Sequence, residues 1–84
     1  MTDEEICKIE ARCNAATAGP WQSFIEGRDH MSGSDFIRTG GSDSLSPDIY
    51  LMDATHADQD FVARARQDIP SLIAEVRRLR ALVS

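Results

Sequence analysis

Residues 15–24 read AATAGPWQSF, and this stretch decides the fold because a helical pattern ends within it and a strand-like pattern begins. Gly19 is expected to take the left-handed conformation that caps a helix, and Pro20 forbids the helix from continuing. The chain's only tryptophan, Trp21, comes next and opens a run rich in aromatic and β-branched residues. We call residues 16–21 the corner, and predict that it joins a helix to a sheet.

Upstream of the corner, residues 3–17 are predicted to form an amphipathic helix. Thr2 and Glu5 have the spacing of a capping box at its start. Apolar residues then recur at spacings of three and four, which makes one narrow stripe. The cysteines, Cys7 and Cys13, would lie about 240° apart on this helix, so neither a disulfide between them nor a metal site is expected.

Downstream of the corner, residues 21–52 predict a small antiparallel meander. Three short segments have the composition of strands, and they are separated by stretches rich in Gly, Ser and Asp. The predicted strands are 21–26, 35–39 and 48–52. Because so small a sheet is not stable alone, the helices are expected to cover one of its faces.

The last part of the chain, residues 56–83, is predicted to be helical. Proline is tolerated in the first turn of a helix and disruptive inside one. Pro70 therefore favours two helices, at 56–67 and 70–83, with Asp68 capping the second. A single kinked helix is the alternative. With the preceding elements, this predicts one α+β domain over the 84 residues.

An apolar seam runs along this helical region with strict four-three spacing, a pattern typical of helix-to-helix packing. It occupies positions 62, 65, 69, 72, 76, 79 and 83. The seam can close the core of a monomer or pair with a second copy. On the second interpretation, the predicted interface of the homo-oligomer consists of Leu72, Val76, Leu79, Leu82 and Val83.

The charge distribution limits the classes of partner. Net charge is −8 over residues 1–60 and +3 over residues 61–84. So acidic a body argues against general nucleic-acid binding, which depends on neutralising phosphates. No apolar run approaches the roughly 18 residues of a membrane span. The acidic N-terminus is unlike a signal peptide, so a cytoplasmic location is expected.

Signatures of catalysis, cofactor binding and metal binding are lacking, so we expect a protein that is not an enzyme. His30 beside Asp29 is the one candidate general base. A nucleotide site is conceivable, because arginines and a Gly-rich loop can hold phosphate and a tryptophan can stack on a base. The candidate ligand residues are Trp21, Arg28, His30, Arg38, Thr39, Gly40, Gly41, Ser42, Arg77 and Arg80. In the alternative interpretation Trp21 belongs to the core and the arginines are solvated.

Two stretches resemble the Ead-like accessory proteins of phages and prophages. Residues 15–21, AATAGPW, resemble that family's A-A-T-P-G-P-W element. Residues 58–80, DQDFVARARQDIPSLIAEVRRLR, resemble its D-A-x-F-I-A-x-A-R-x-D-[IV]-P-x-L-L-x-E-V-x-R-L-R. Ala18 stands where the family has proline, and Gln59 stands where it has a small residue.

The resemblance implies a dispensable, non-catalytic phage protein made in the cytoplasm of a bacterial host. Small accessory proteins of phages often counter the defence systems of the host. One hypothesis is a homo-oligomer that sequesters an anionic nucleotide immune signal, such as a cyclic nucleotide or an ADP-ribose derivative. The other is an inhibitor or adaptor that binds a host defence protein through its acidic surface or its C-terminal helix.

Overall fold

The computed structural model describes residues 1–41 and 45–83, which form a helix, three strands and a second helix. Helix α1 covers Asp3–Ala15, strands β1, β2 and β3 cover Gln22–Phe24, Phe36–Arg38 and Asp48–Ile49, and helix α2 covers His56–Val83. This is the predicted α+β architecture. Each strand is shorter than its predicted range, since only part of each segment pairs with a neighbouring strand, and in β3 this is the first two residues.

Helix α1 begins with the predicted capping box. The Thr2 hydroxyl accepts a hydrogen bond from the Glu5 amide at 3.1 Å, and the Glu5 carboxylate accepts one from the Thr2 amide at 2.8 Å. The helix ends at Ala15, two residues before the predicted end, because Ala16 is extended with φ −73° and ψ 157°. The left-handed cap predicted at Gly19 is wrong, since positive φ angles in glycine occur only later, among them at Gly40.

Hydrogen bonds from two distant segments hold the corner instead. The Gln67 side chain of α2 accepts from the Trp21 amide at 2.9 Å and donates to the Trp21 carbonyl at 3.0 Å. The Gly40 amide, just after β2, donates to the Ala18 carbonyl at 2.7 Å. The peptide bond between Gly19 and Pro20 is cis. The corner is thus fixed by α2 and by the end of β2 together.

The three strands form an antiparallel sheet in the order β1-β2-β3. Phe24 pairs with Phe36, and Ile37 pairs with both Ser23 and Ile49. Because successive side chains point to opposite faces of a sheet, Ile37 points to the face covered by α2 and Phe36 to the opposite face. Ile37 is fully buried. One face of the sheet therefore belongs to the core, and the other is open.

Helix α2 is a single helix of 28 residues with Pro70 inside it. The preferred split into helices at 56–67 and 70–83, with Asp68 as a cap, is therefore wrong, and the single helix is correct. Proline removes one amide donor but its fixed φ fits a helix, so the cost is limited to a missing bond and local crowding. Packing on both sides of Pro70 outweighs that cost, because the sheet covers the first half of α2 and α1 covers the second.

The core lies where α2 meets these two partners. Ala63 is buried under the sheet, and Ile73 is buried against α1 beside Ile6. Gln59 is also buried, and its amide bonds to both β1 and β2. Among the described helices, none combines the length and the apolar character that crossing a membrane requires.

Candidate functional site

Arg28, a predicted ligand residue, forms the tightest ion-pair cluster near the sheet. Its guanidinium donates two hydrogen bonds to Asp60, at 2.8 and 2.9 Å, and one to Asp29 at 2.9 Å. The bonds from Arg28, followed by one from Ser23, lower the pKa of Asp60 from 3.8 to about 2. Arg28 therefore joins the turn after β1 to α2 through charged pairs, and three of its five N–H donors are already engaged.

The two helix arginines predicted to meet an anion are engaged in the same way. Arg77 donates to Glu10 at 2.5 Å, and this bond raises the pKa of the guanidinium. Arg80 donates to the Asp3 carboxylate and to the Met1 carbonyl. Both arginines thus tie the second half of α2 to α1 and to Met1, which precedes α1, and an anion would have to displace these partners.

Both described glycine amides of the loop after β2 are already bonded. The Gly40 amide is bound to the corner, as is the Gly41 amide, which donates to the Pro20 carbonyl at 3.2 Å. Thr39 is fully buried, and its hydroxyl donates to the Pro47 carbonyl at 2.5 Å. Ser42 lies outside the described residues. A phosphate cradle at this loop would require the glycine amides to give up their present bonds.

His30, the candidate general base, is half-buried and bonded to Ser32 and not to Asp29. Its Nδ1 lies 3.0 Å from the Ser32 amide and 2.5 Å from the Ser32 hydroxyl oxygen. Asp29 instead accepts from the Ile25 amide at 2.8 Å. The His30 Nε2 is buried with no hydrogen-bond partner in the described chain. The His30 ring instead packs against Phe24 and Phe36 on the open face of the sheet.

Three of the predicted ligand residues do come together at one surface pocket. Trp21, Arg38 and Gly41 line an open pocket of about 590 Å³ at the end of the sheet. Arg64 and Gln67 of α2 complete its wall, and sequence reasoning missed both. Trp21 is half-buried there. Its indole N–H donates to the Thr17 carbonyl at 3.0 Å, so the ring is also a packing residue of the corner.

The open face of the sheet carries a second group that the sequence analysis missed. The Phe24 and Phe36 rings stack with centroids 5.1 Å apart, and Tyr50, 60% exposed, lies 6.2 Å from Phe36. The His30 ring stands edge-on to both phenylalanines. The Arg38 guanidinium lies over the Phe24 ring, 5.0 Å from its centroid, in a cation–π contact. We call these five residues the sheet face.

Carboxylates border the sheet face. Asp48 is exposed and stands opposite Arg38 in the register of β2 and β3. Glu26, two residues beyond Phe24, is exposed on the same side. The strict alternation of residues 36–38, with Phe and Arg around a buried Ile, was the available sequence signal for this face. To identify this face from that signal, one must also know the register of the strands, which the sequence does not give directly.

The predicted oligomer interface lies open along α2. Its residues are exposed except for Val76, which is half-buried. Leu72 is 62% exposed, and Leu82 is 69% exposed. Of the seven seam positions, Val62, Ala65 and Val76 are half-buried and the other four are exposed, so the seam closes the monomer's core only in part. Within the described ranges, no three histidine, cysteine or carboxylate side chains converge as a metal site would need.

Comparisons with protein-family models, with curated proteins and with solved structures found no significant match to this chain.

Proposed function

We propose that the protein is a non-enzymatic binding protein that acts by docking the sheet face on a partner protein. The observation that carries this proposal is the aromatic cluster on the open side of the sheet, in which Phe24 and Phe36 are half-buried and Tyr50 is exposed. Large aromatic side chains contribute much of the binding energy at protein interfaces. Tyr and Arg are enriched among the interface residues that contribute most. Tyr50 and Arg38 supply both types.

The partner's chemistry follows from the charges around the cluster. Asp48 and Glu26 border the sheet face, and residues 1–60 carry a net charge of −8. A complementary surface is basic, and its lysines or arginines would meet the carboxylates while its apolar groups cover the rings. The resemblance to phage accessory proteins supplies the proposed setting, in which the partner is a defence protein of a bacterial host.

A capture experiment from bacterial lysate tests this function. We expect one partner to be retained by the wild-type protein and to lose at least about 10-fold of its retention with the double variant Tyr50→Ala/Asp48→Lys. The control is Phe61→Ala, which removes an equally exposed ring from α2 (74% exposed against 60%). Retention should also fall at high salt. A partner retained equally by all three proteins would refute the sheet face as the binding surface.

Capture of an anionic nucleotide is the second candidate function. The pocket that brings Trp21, Arg38 and Arg64 together supports it. Arg38 rests on phenyl rings, and the described residues place no carboxylate in an ion pair with it. Arg64 has only a distant partner, Asp68 at 3.7 Å. Two arginines beside an indole ring suit a phosphate and a base.

Thermal unfolding in the presence of cyclic dinucleotides, cyclic trinucleotides and ADP-ribose derivatives tests this candidate. A ligand at 100 times its dissociation constant stabilises the folded protein by about 2.7 kcal/mol, a readily measured shift. Arg64→Ala should abolish the shift, whereas Arg78→Ala, which removes an exposed arginine elsewhere on α2, should keep it. Equal melting temperatures with and without every nucleotide would exclude this class of ligand.

A further inference from the structure

We infer that a second copy of the chain docks in an apolar groove between α1 and α2, which makes the protein a symmetric dimer. The first half of this groove has a volume of about 310 Å³, and every residue that lines it is apolar. Its walls are Ile6 and Ile9 of α1 and Ile69, Leu72 and Val76 of α2. No polar side chain of the described residues lines this half of the groove.

The groove continues towards the corner. A second depression, of about 260 Å³, shares Ile9 and Ile69 with the first and ends at Trp21. Val62 and Ala65 line it from α2. The two depressions form one continuous surface, which we call the helix groove. Its α2 side is the four-three seam, so the positions suited to packing on another helix are the ones left open.

The chain exposes more surface than a compact monomer, by about the area that a dimer contact buries. The chain exposes 6008 Å², whereas a compact monomer of 9.3 kDa exposes about 5,000 Å². The radius of gyration is 15.4 Å, against about 12 Å for a compact chain of this length. The excess area is close to the roughly 800 Å² that each partner buries in an interface of standard size.

The apolar lining of the groove favours a second copy as the occupant. In a contact with two-fold symmetry, the groove of one copy meets the same groove of the other, so that two four-three seams pack together. The charged residues that line the groove, Arg12 and Arg66, lie only in its half near the corner.

A dimer of this kind leaves the sheet face free. On α2, the residues that face the sheet, Gln59 and Ala63, lie about 140° around the helix from the seam. The two copies would therefore join through their helices and present their sheet faces outward on opposite sides. This inference goes beyond the proposed function and does not depend on it, because assembly is measured without any partner.

Sedimentation equilibrium of the full chain tests the dimer. We expect the wild-type protein to sediment as a dimer at micromolar chain concentration. Leu72→Glu places a charge in the middle of the groove and should raise the dissociation constant by at least about 100-fold. Leu72→Ala should raise it about 10-fold. The control is Met52→Glu, which puts the same charge on a side chain that is 89% exposed outside the helices, and it should dimerise as the wild type does.

If Leu72→Glu fails to fold, the measurements on the wild type and on Leu72→Ala still decide whether the chain dimerises through the groove. Leu72 is exposed, and alanine favours the helix, so Leu72→Ala keeps its fold. The melting temperature of the wild type should also rise with protein concentration. A wild-type monomer up to submillimolar concentration overturns the inference. So does a larger assembly, or a dimer that neither Leu72 variant weakens.

Discussion

Replacing Gln59 with alanine is expected to lower the free energy of unfolding by about 3 kcal/mol. Gln59 is 4% exposed, and its amide nitrogen donates to the Ser23 hydroxyl and to the carbonyls of Phe24 and Phe36, at 2.9, 3.2 and 3.1 Å. Each buried acceptor that loses its donor costs about 1–3 kcal/mol. An 84-residue domain has only about 4–12 kcal/mol in total, so a large part of its stability depends on this one side chain.

Urea unfolding at a fixed protein concentration measures this loss, and the melting temperature should fall by roughly 15 °C. Gln59→Met keeps the volume of the side chain but not its donors, and it should remain about 2 kcal/mol less stable than the wild type. The control is Gln22→Ala, which removes the same atoms from an exposed position and should cost less than about 0.5 kcal/mol. Equal losses at Gln59 and Gln22 would refute the bridging role.

Replacing Ile37 with alanine is expected to cost about 3–4 kcal/mol. Ile37 is fully buried in the central strand, where it pairs with Ser23 and Ile49 on the face that α2 covers. Truncation of a buried isoleucine removes its transfer energy and leaves a cavity, which together cost about 2–5 kcal/mol. Because the sheet has only three short strands, little of it can collapse into the gap.

Calorimetry of Ile37→Ala and Ile37→Val separates the cost of the cavity from the destabilisation that any substitution in this strand would cause. Valine removes one methyl group and should cost about 0.5–1.5 kcal/mol. The alanine variant should therefore lose at least twice as much as the valine variant. Similar losses in the two proteins would mean that the open face of the sheet, and not the core face, stabilises this strand.

The sequence predicted the order and type of the described elements, except that it favoured two helices where α2 is one. Capping boxes, strand composition and the apolar period are local signals, and they sufficed for α1 and for the meander. The division of α2 at Pro70 was wrong because the helix is supported from two sides, by the sheet and by α1. A single proline cannot outweigh packing partners that lie elsewhere in the chain, and the local pattern does not reveal them.

The candidate ligand site was harder to predict, because the partners of its arginines are remote. Arg77 meets Glu10 and Arg80 meets Asp3, across almost the whole chain. Gln59 was noted only as a departure from the pattern of the phage proteins, and its role as a bridge between α2 and the sheet appears only when β1 and β2 lie side by side. Residue type and spacing do not carry that information.

The monomer buries the apolar seam of α2 only in part, since Ile69, Leu72, Leu79 and Val83 stay exposed. Gln59, Ala63 and Ile73 face the sheet and α1, so the core needs a different stripe of the helix. Leu72 and Leu79 remain 62% and 49% exposed on the seam. Such exposure on a small domain is typical of an interaction surface and not of random surface composition.

Isotope-filtered nuclear Overhauser spectroscopy on a mixture of labelled and unlabelled chains tests whether two copies of the chain meet at the helix groove. We expect intermolecular contacts between the methyl groups of Ile9, Ile69 and Leu72, and none at the methyl of Met52 outside the helices. If the groove methyls show only contacts within their own chain at millimolar concentration, the helix groove is not the surface on which two copies meet.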